Sequence, residues 1–288
     1  MLDRGQPGYP ELLAEIPDPP DRLYLRGVMP AGVMIAIVGS RRATPYGLRV
    51  AQTLARDFVR AGAVVVSGLA RGIDAAAHEG AIEGGGKTVA VLATGLDPVY
   101  PPEHTALADR VARHGALLSE VPDGTVPLPG RFPIRNRIIS GLSRGLVIVE
   151  AAARSGALIT ARMALEQGRE VFAVPGSIEN PMTAGTHALI QDGAALVQSA
   201  EDVLRVMGEL PLVHAHTRAR VRASAGPREP ELAAVWELLD WVEPRHHDEL
   251  AALLGLPVQE VSRRLTLLEM GNYIIGDCGA VTRRPHMS

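Results

Sequence analysis

The chain has 288 residues, 47% of them apolar and 21% charged, so it can bury a sizeable core and is not a disordered polymer. Only 3% is aromatic, the lone Cys278 excludes an intrachain disulfide, and no Cys/His cluster has zinc-finger spacing. No apolar run approaches the roughly 20 residues of a membrane-spanning helix, and the start lacks the order of a signal peptide, so a soluble, cytoplasmic protein is expected. Net charge is -3, which by itself argues against a nucleic-acid partner. The distribution is uneven, however. Residues 34–60 hold five arginines against Asp57, and residues 131–172 hold seven against three glutamates. Residues 231–288 carry nine acids against five arginines, so the tail is acidic.

In chain order, residues 1–30 are proline-dense and read as an ordered lead-in, with Leu12, Leu13, Ile16, Leu23 and Leu25 packing on the domain behind it. From 34 onward, short apolar runs alternate with amphipathic stretches. Strands are expected at 34–38, 63–66, 88–92, 116–118, 146–149 and 171–174. Helices are expected at about 47–61, from Asp74, and at 104–113, 135–142 and 157–167. Repeated strand–helix units predict an α/β fold: a Rossmann-like, mostly parallel sheet with helices on both faces over 31–208. A Pro/Arg-rich linker is expected at 209–230. Over 231–288, three short helices and a hairpin around 276–279 suggest a small winged helix-turn-helix.

Ligands of such sheets bind beyond the carboxyl ends of the strands. The first strand ends in Gly39, Ser40, Arg41 and Arg42, a tight turn whose backbone N–H groups and arginines suit a phosphate. The second ends in Ser67, Gly68, Leu69, Ala70, Arg71 and Gly72, which puts Arg71 at the same sheet edge, with Asp74 as a helix cap. A third segment, Arg131, Phe132, Arg135, Asn136 and Arg137, joins guanidinium groups to a ring that can stack on a base, and leads into a helix N-terminus. Together these three segments predict a crevice crossed by single-stranded DNA. Glu150 is read as structural, paired with a nearby arginine, because no second acid or nucleophile accompanies it. The run 84–88 (GGGKT) lacks the first glycine of a phosphate-binding P-loop and precedes a strand, so it is read as a turn. His246 and His247 lack further ligands at zinc spacing. No catalytic residue, metal or cofactor is expected.

These segments resemble the DprA/Smf family, the DNA-processing proteins of natural transformation. The matching stretches are GSRRATPYG at 39–47, SGLARGIDAAAH at 67–78, FPIRNRIISGLSRG at 132–145 and SGALITARMALEQGREVFAVPG at 155–176. The lead-in at 9–27 and THALIQDGA at 186–194 also fit. The resemblance implies a single-strand binder, not an enzyme, that protects incoming DNA and helps load the RecA recombinase. It matches the family's GSR arginine to Arg41 and its RNR segment to Arg135 and Arg137. It also implies a homodimer contact within 186–197, carried by His187, Leu189 and Leu196. The sequence leaves no room for the N-terminal sterile-alpha-motif-like domain of longer relatives. The alternative is a nucleotide-processing enzyme of the related phosphoribohydrolase-like group. That group depends on a PGGxGT-type loop, where this chain has Pro175, Gly176, Ser177 and Ile178.

Overall fold

Continuous apolar runs such as MIAIV at 34–38 and GLVI at 145–148 must be covered on both faces, because no position is left for water. The computed structural model of the chain describes residues 1–208, 227, 229–239, 245–271, 273–277 and 280–283. The chain divides into two units, Met1–Pro211 and Leu212–Ser288.

The first unit begins with β1 (Leu2–Asp3), α1 (Glu11–Ala14), β2 (Arg22–Gly27), β3 (Met34–Val38), α2 (Pro45–Arg60) and β4 (Val64–Ser67). It continues with α3 (Ile73–Glu83), β5 (Lys87–Leu92), a 3-10 turn (Pro102–His104), α4 (Thr105–His114), β6 (Ala116–Ser119) and α5 (Arg131–Leu142). It ends with β7 (Gly145–Ile148), α6 (Gly156–Glu166), β8 (Glu170–Ala173), α7 (Ala184–Gln191), β9 (Ala195–Leu196) and α8 (Ala200–Val206). One nine-stranded sheet runs β1-β2-β6-β5-β4-β3-β7-β8-β9. It is parallel from β6 to β9, with β2 antiparallel to β6 and β1 antiparallel to β2.

Register sorts the side chains. Ile35 pairs with Val65 and Ile37 with Val147, and these face Phe58 of α2 and Ala77 of α3. Ala36 pairs with Val66 and Leu146, on the face covered by Ile138 of α5 and Ala161 of α6. Helix α2 presents Ala51, Leu54, Ala55 and Phe58 at helical spacing, and burying the Phe58 ring alone contributes about 1.5–3 kcal/mol.

The lead-in packs as its leucines suggest, with Leu13 and Leu23 fully buried. It also adds two strands that the proline count hides. Residues 22–27 pair with β6, Tyr24 opposite Ser119, and the Tyr9 hydroxyl donates to the Pro20 carbonyl at 2.6 Å. The helix expected from 47 starts at Pro45, because Thr44 caps it and proline suits the first turn. The helix expected from 135 starts at Arg131, which changes where its arginines point.

The second unit holds α9 (Pro230–Glu237), β10 (Arg245–His246), α10 (His247–Leu254), α11 (Val258–Met270), β11 (Ile274–Asp277) and β12 (Ala280–Arg283). Its antiparallel sheet runs β10-β12-β11 over a core of Trp236, Leu250, Val261, Leu265, Leu268 and Ile274. Gly255, left-handed at φ 64°, ends α10 and turns the chain into α11. This is a winged helix-turn-helix. The expected linker lies outside the described residues except for Pro227, Glu229 and Pro230, and Pro230 already belongs to α9. Cys278 and Arg284 also lie outside them. Among the described residues, no helix is long and apolar enough to cross a membrane, and no group of three or more His, Cys, Asp or Glu could hold a metal.

Candidate nucleic-acid interface

Strand order reverses at β3, since β4, β5 and β6 follow on one side and β7, β8 and β9 on the other. The loops leaving β3 and β7 therefore diverge and open a crevice at their carboxyl ends. A cleft of about 740 Å³ occupies this place. Residues 39–42 line it, with Ala70, Phe132, Arg135, Asn136, Tyr100 and residues 154–157. A smaller cavity of about 140 Å³ adjoins it, and there Gly68 and Arg71 join the wall. Ser67, Gly72, Arg131 and Arg137 line neither cavity.

The loop after β3 is held by its own bonds. Ser40 N–H donates to the Glu150 carbonyl at 2.7 Å, and Arg42 N–H to Ser40 Oγ at 3.0 Å. Thr44 donates its N–H and its hydroxyl to the Glu150 carboxylate at 2.9 and 2.6 Å. Fully buried Glu150 thus supplies the negative charge at the N-terminus of α2. This corrects one expectation: Glu150 pairs with a helix cap instead of an arginine, so its carboxylate already sits where the N-terminus of α2 was expected to offer itself to an anion. Anion binding falls to side chains. Arg41, Arg42 and Arg154 are exposed, with no carboxylate at ion-pair distance among the described residues.

The loop after β4 is folded from within. Asp74 is not the cap expected of it: α3 starts at Ile73 after Gly72, and Asp74, in its first turn, turns back so that Oδ2 accepts from the N–H groups of Gly68 at 3.1 Å and Ala70 at 3.4 Å. Gly72 has φ +77°, and a Cβ there would sit 2.3 Å from the Ser40 carbonyl oxygen. That contact locks the two loops together. Ser67 is buried and donates its hydroxyl to the Ile37 carbonyl at 2.6 Å, so its role is to brace strands.

Arg135 is 5% exposed and lies on Gly68, where any Cβ would collide with the guanidinium. It donates to the Gly68 carbonyl at 2.6 Å and to the Val91 carbonyl. Burial pushes its pKa down to about 10, with Asp74 opposing the shift, while burial raises Asp74. Arg135 is therefore the floor of the site and not a surface contact. Arg71 stands exposed beside Glu103, which it pairs through Nε.

Helical phase decides the rest. Phe132, Arg135 and Asn136 are three and four residues apart and share the cleft face of α5. Arg137 falls on another face, where it donates to Asp18 at 2.8 Å and Glu120 at 2.6 Å. Arg131 turns back to the Val126 carbonyl at 3.0 Å. Arg131 and Arg137, expected as DNA contacts, are thus held by intramolecular bonds and line neither cavity. Phe132 lies between Arg41, whose Cζ is 4.7 Å from the ring centre, and Tyr100, whose ring is 5.9 Å away at 60°. Tyr100 and Arg154 escaped the sequence reading. Each follows a parallel strand at the same sheet edge, which is the signal that could have found them.

At the far edge of the sheet, His187 Nε2 meets the Gly176 carbonyl at 3.0 Å, and Leu189 packs against the core. Leu196, on the edge strand β9, is 47% exposed. In the winged helix, Arg263 and Arg264 both bond Glu260, at 2.8 Å each at the shortest, with Glu231 at 3.7 Å from both. Those hydrogen bonds pull the Glu260 pKa down to about 2.

The architecture defines a class: a Rossmann-like protein with an arginine-lined crevice, followed by a winged helix-turn-helix. A family model described as DNA recombination-mediator protein A matches residues 1–208, and one described as DprA winged helix domain matches 219–275. The chain belongs to the DprA/Smf family. It is 48% identical over 204 residues to DNA processing protein DprA of Bacillus subtilis (strain 168), covering 70% of this chain and 69% of that one. It is 42% identical over 283 residues to Protein Smf of Escherichia coli (strain K12), covering 96% and 75%. Among solved structures, DprA from Streptococcus pneumoniae superposes with a TM-score of 0.68 at 44% identity, over 71% of this chain and 72% of that chain. A Helicobacter pylori DNA processing protein A, described for its single-stranded DNA binding mode, gives 0.63 at 31% identity, over 70% and 93%.

Proposed function

We propose that the cleft binds single-stranded DNA, and that the protein acts as a binder and not as an enzyme. The observation that carries this reading is the set of exposed guanidinium groups without acid partners, Arg41, Arg42 and Arg154, gathered around the Phe132 and Tyr100 rings. Phosphates meet the arginines and a base stacks on the aromatic pair, a combination that tolerates any sequence. Gly39, Ser40 and Gly68 shape the wall, Asn136 offers its amide to a base or sugar, and Arg135 fixes the floor. The description of the Helicobacter relative supports the ligand class.

Delivery of that strand to the RecA recombinase, in the cytoplasm and during natural transformation, is the role that fits the family. The family model's description as a recombination mediator supports it. A homodimer would place a second copy against the β9 edge, with Leu196 as its exposed apolar contact. Binding is tested by titrating the full chain with single- and double-stranded oligonucleotides over a range of salt. Single strands should bind tighter, with a salt slope that falls by about 0.7 for each phosphate contact removed. Equal affinity for duplex and single strand would overturn the reading.

A further inference from the structure

The smaller cavity leads off the cleft, and the two share Arg41, Arg42, Tyr100, Phe132 and Arg135 in their walls. Arg71 and Thr94 line the smaller one alone. No carboxylate forms its wall, yet four guanidinium groups do. Nearby, Glu103 offsets Arg71, and buried Asp74 faces Arg135 without reaching ion-pair distance. That leaves about two positive charges uncompensated, those of the exposed Arg41 and Arg42. A backbone phosphodiester carries a single negative charge. A phosphomonoester carries about -1.5 to -2 at neutral pH.

We infer that the smaller cavity captures a terminal phosphomonoester, the phosphorylated end of a strand whose body lies in the cleft. The inference rests on the strand-binding reading above. Size supports it, because a cavity of about 140 Å³ is a small recess beside a cleft of about 740 Å³. A base turned out of the strand would also fit the space, but it has no use for four cations. The cleft has a direction, so only one chemical end, 5′ or 3′, reaches the cavity.

The test uses the full chain and an internally labelled oligothymidylate with hydroxyls at both ends, a 5′-phosphate only, or a 3′-phosphate only. One phosphorylated strand, and not the other, should bind at least about tenfold tighter than the unphosphorylated one. Arg71→Ala, at an exposed position, frees the Glu103 carboxylate beside the cavity, and that uncompensated negative charge should bring the ratio close to one. Equal affinity for all three strands, or an equal gain from either phosphate, overturns end capture. Strand binding in the cleft would still stand if Arg41→Ala weakens the unphosphorylated strand, so the two failures are distinguishable. A free nucleotide is the other source of a phosphomonoester. Thymidine 5′-monophosphate should cancel the advantage only at millimolar concentration, and competition as tight as the strand itself would assign the cavity to nucleotides and overturn the proposal.

Discussion

Two Arg-Arg pairs sit in the described residues, one in each unit, and they differ in availability more than in charge. Arg41 and Arg42 lie in a loop after β3 with no acid within helical reach, and the carboxylates near that loop are engaged elsewhere, Glu150 by Thr44 and buried Asp74 by the Gly68 and Ala70 N–H groups. Arg263 and Arg264 lie on α11, three and four residues after Glu260, which bonds both. A guanidinium already held by a carboxylate has little attraction left for a phosphate. Charge counted along a sequence therefore says less than where the nearest acid falls in three dimensions.

The largest expected effect tests this contrast directly. Arg41→Ala with Arg42→Ala should weaken single-strand binding by about 2–5 kcal/mol, from two charge-assisted contacts, and flatten the salt dependence. Arg263→Ala with Arg264→Ala should leave affinity within about twofold, as for exposed ion pairs in general. Comparable losses in the two double variants, read by fluorescence anisotropy, would break the comparison.

Acid separates the two units next. His78 is fully buried, with Nδ1 at 2.8 Å from the Thr88 hydroxyl and Nε2 without a partner. Because the Thr88 hydroxyl donates to the Val65 carbonyl, the His78 Nδ1–H is the donor in that pair. Burial, then the charges of His104 and Arg135, push its pKa down to about 3. Below the ordinary value of about 6.5 the unfolded state takes up a proton that the folded state refuses, so stability falls as pH drops. Between pH 7 and about pH 4.5 the first unit should lose roughly 2–3 kcal/mol from this residue. The Glu260 clamp, whose carboxylate is held down to about 2, persists through that window. Urea unfolding at both pH values, with His78→Gln as the comparison, reads the difference. An unchanged pH slope in the variant would remove His78 from the account.

A smaller effect separates binding from bracing within the first unit. Arg137 is tied to Asp18 and Glu120 and joins the lead-in to α5. Arg137→Ala should lower stability by about 1–3 kcal/mol, because two acids lose their shared partner. It should leave single-strand affinity unchanged. Weakened binding at full stability would return Arg137 to the interface.

How much of this was legible in the sequence follows from the range of each interaction. The six inner strands were readable because unbroken apolar runs mark buried parallel strands. The crevice followed from their order. The loops at 39–42 and 67–72 were readable as sheet-edge turns, but not their internal bonds, since Thr44 and Glu150 are 106 positions apart. The RNR arginines misled because helix α5 begins at Arg131, so residues 135 and 137 point to different faces. Strand β2 was hidden among prolines, and its pairing with β6 spans about ninety residues that no local pattern encodes.

The smallest expected effect sharpens the comparison from the other side. If Glu260 is what silences the second Arg-Arg pair, then Glu260→Gln keeps the shape and removes the charge. Arg263 and Arg264 would retain weaker hydrogen bonds to the amide but regain their field, and Glu231 at 3.7 Å would offset only part of it. The acidic surroundings of the unit still repel DNA, so the gain should be modest, below about tenfold, and confined to low salt, where the Debye length is long. Duplex DNA is the informative ligand, because α11 occupies the recognition position of a helix-turn-helix. An electrophoretic shift of duplex with Glu260→Gln, reversed by adding salt, is the expected result. No shift at any ionic strength would mean that the helix is kept from DNA by something other than its own carboxylates.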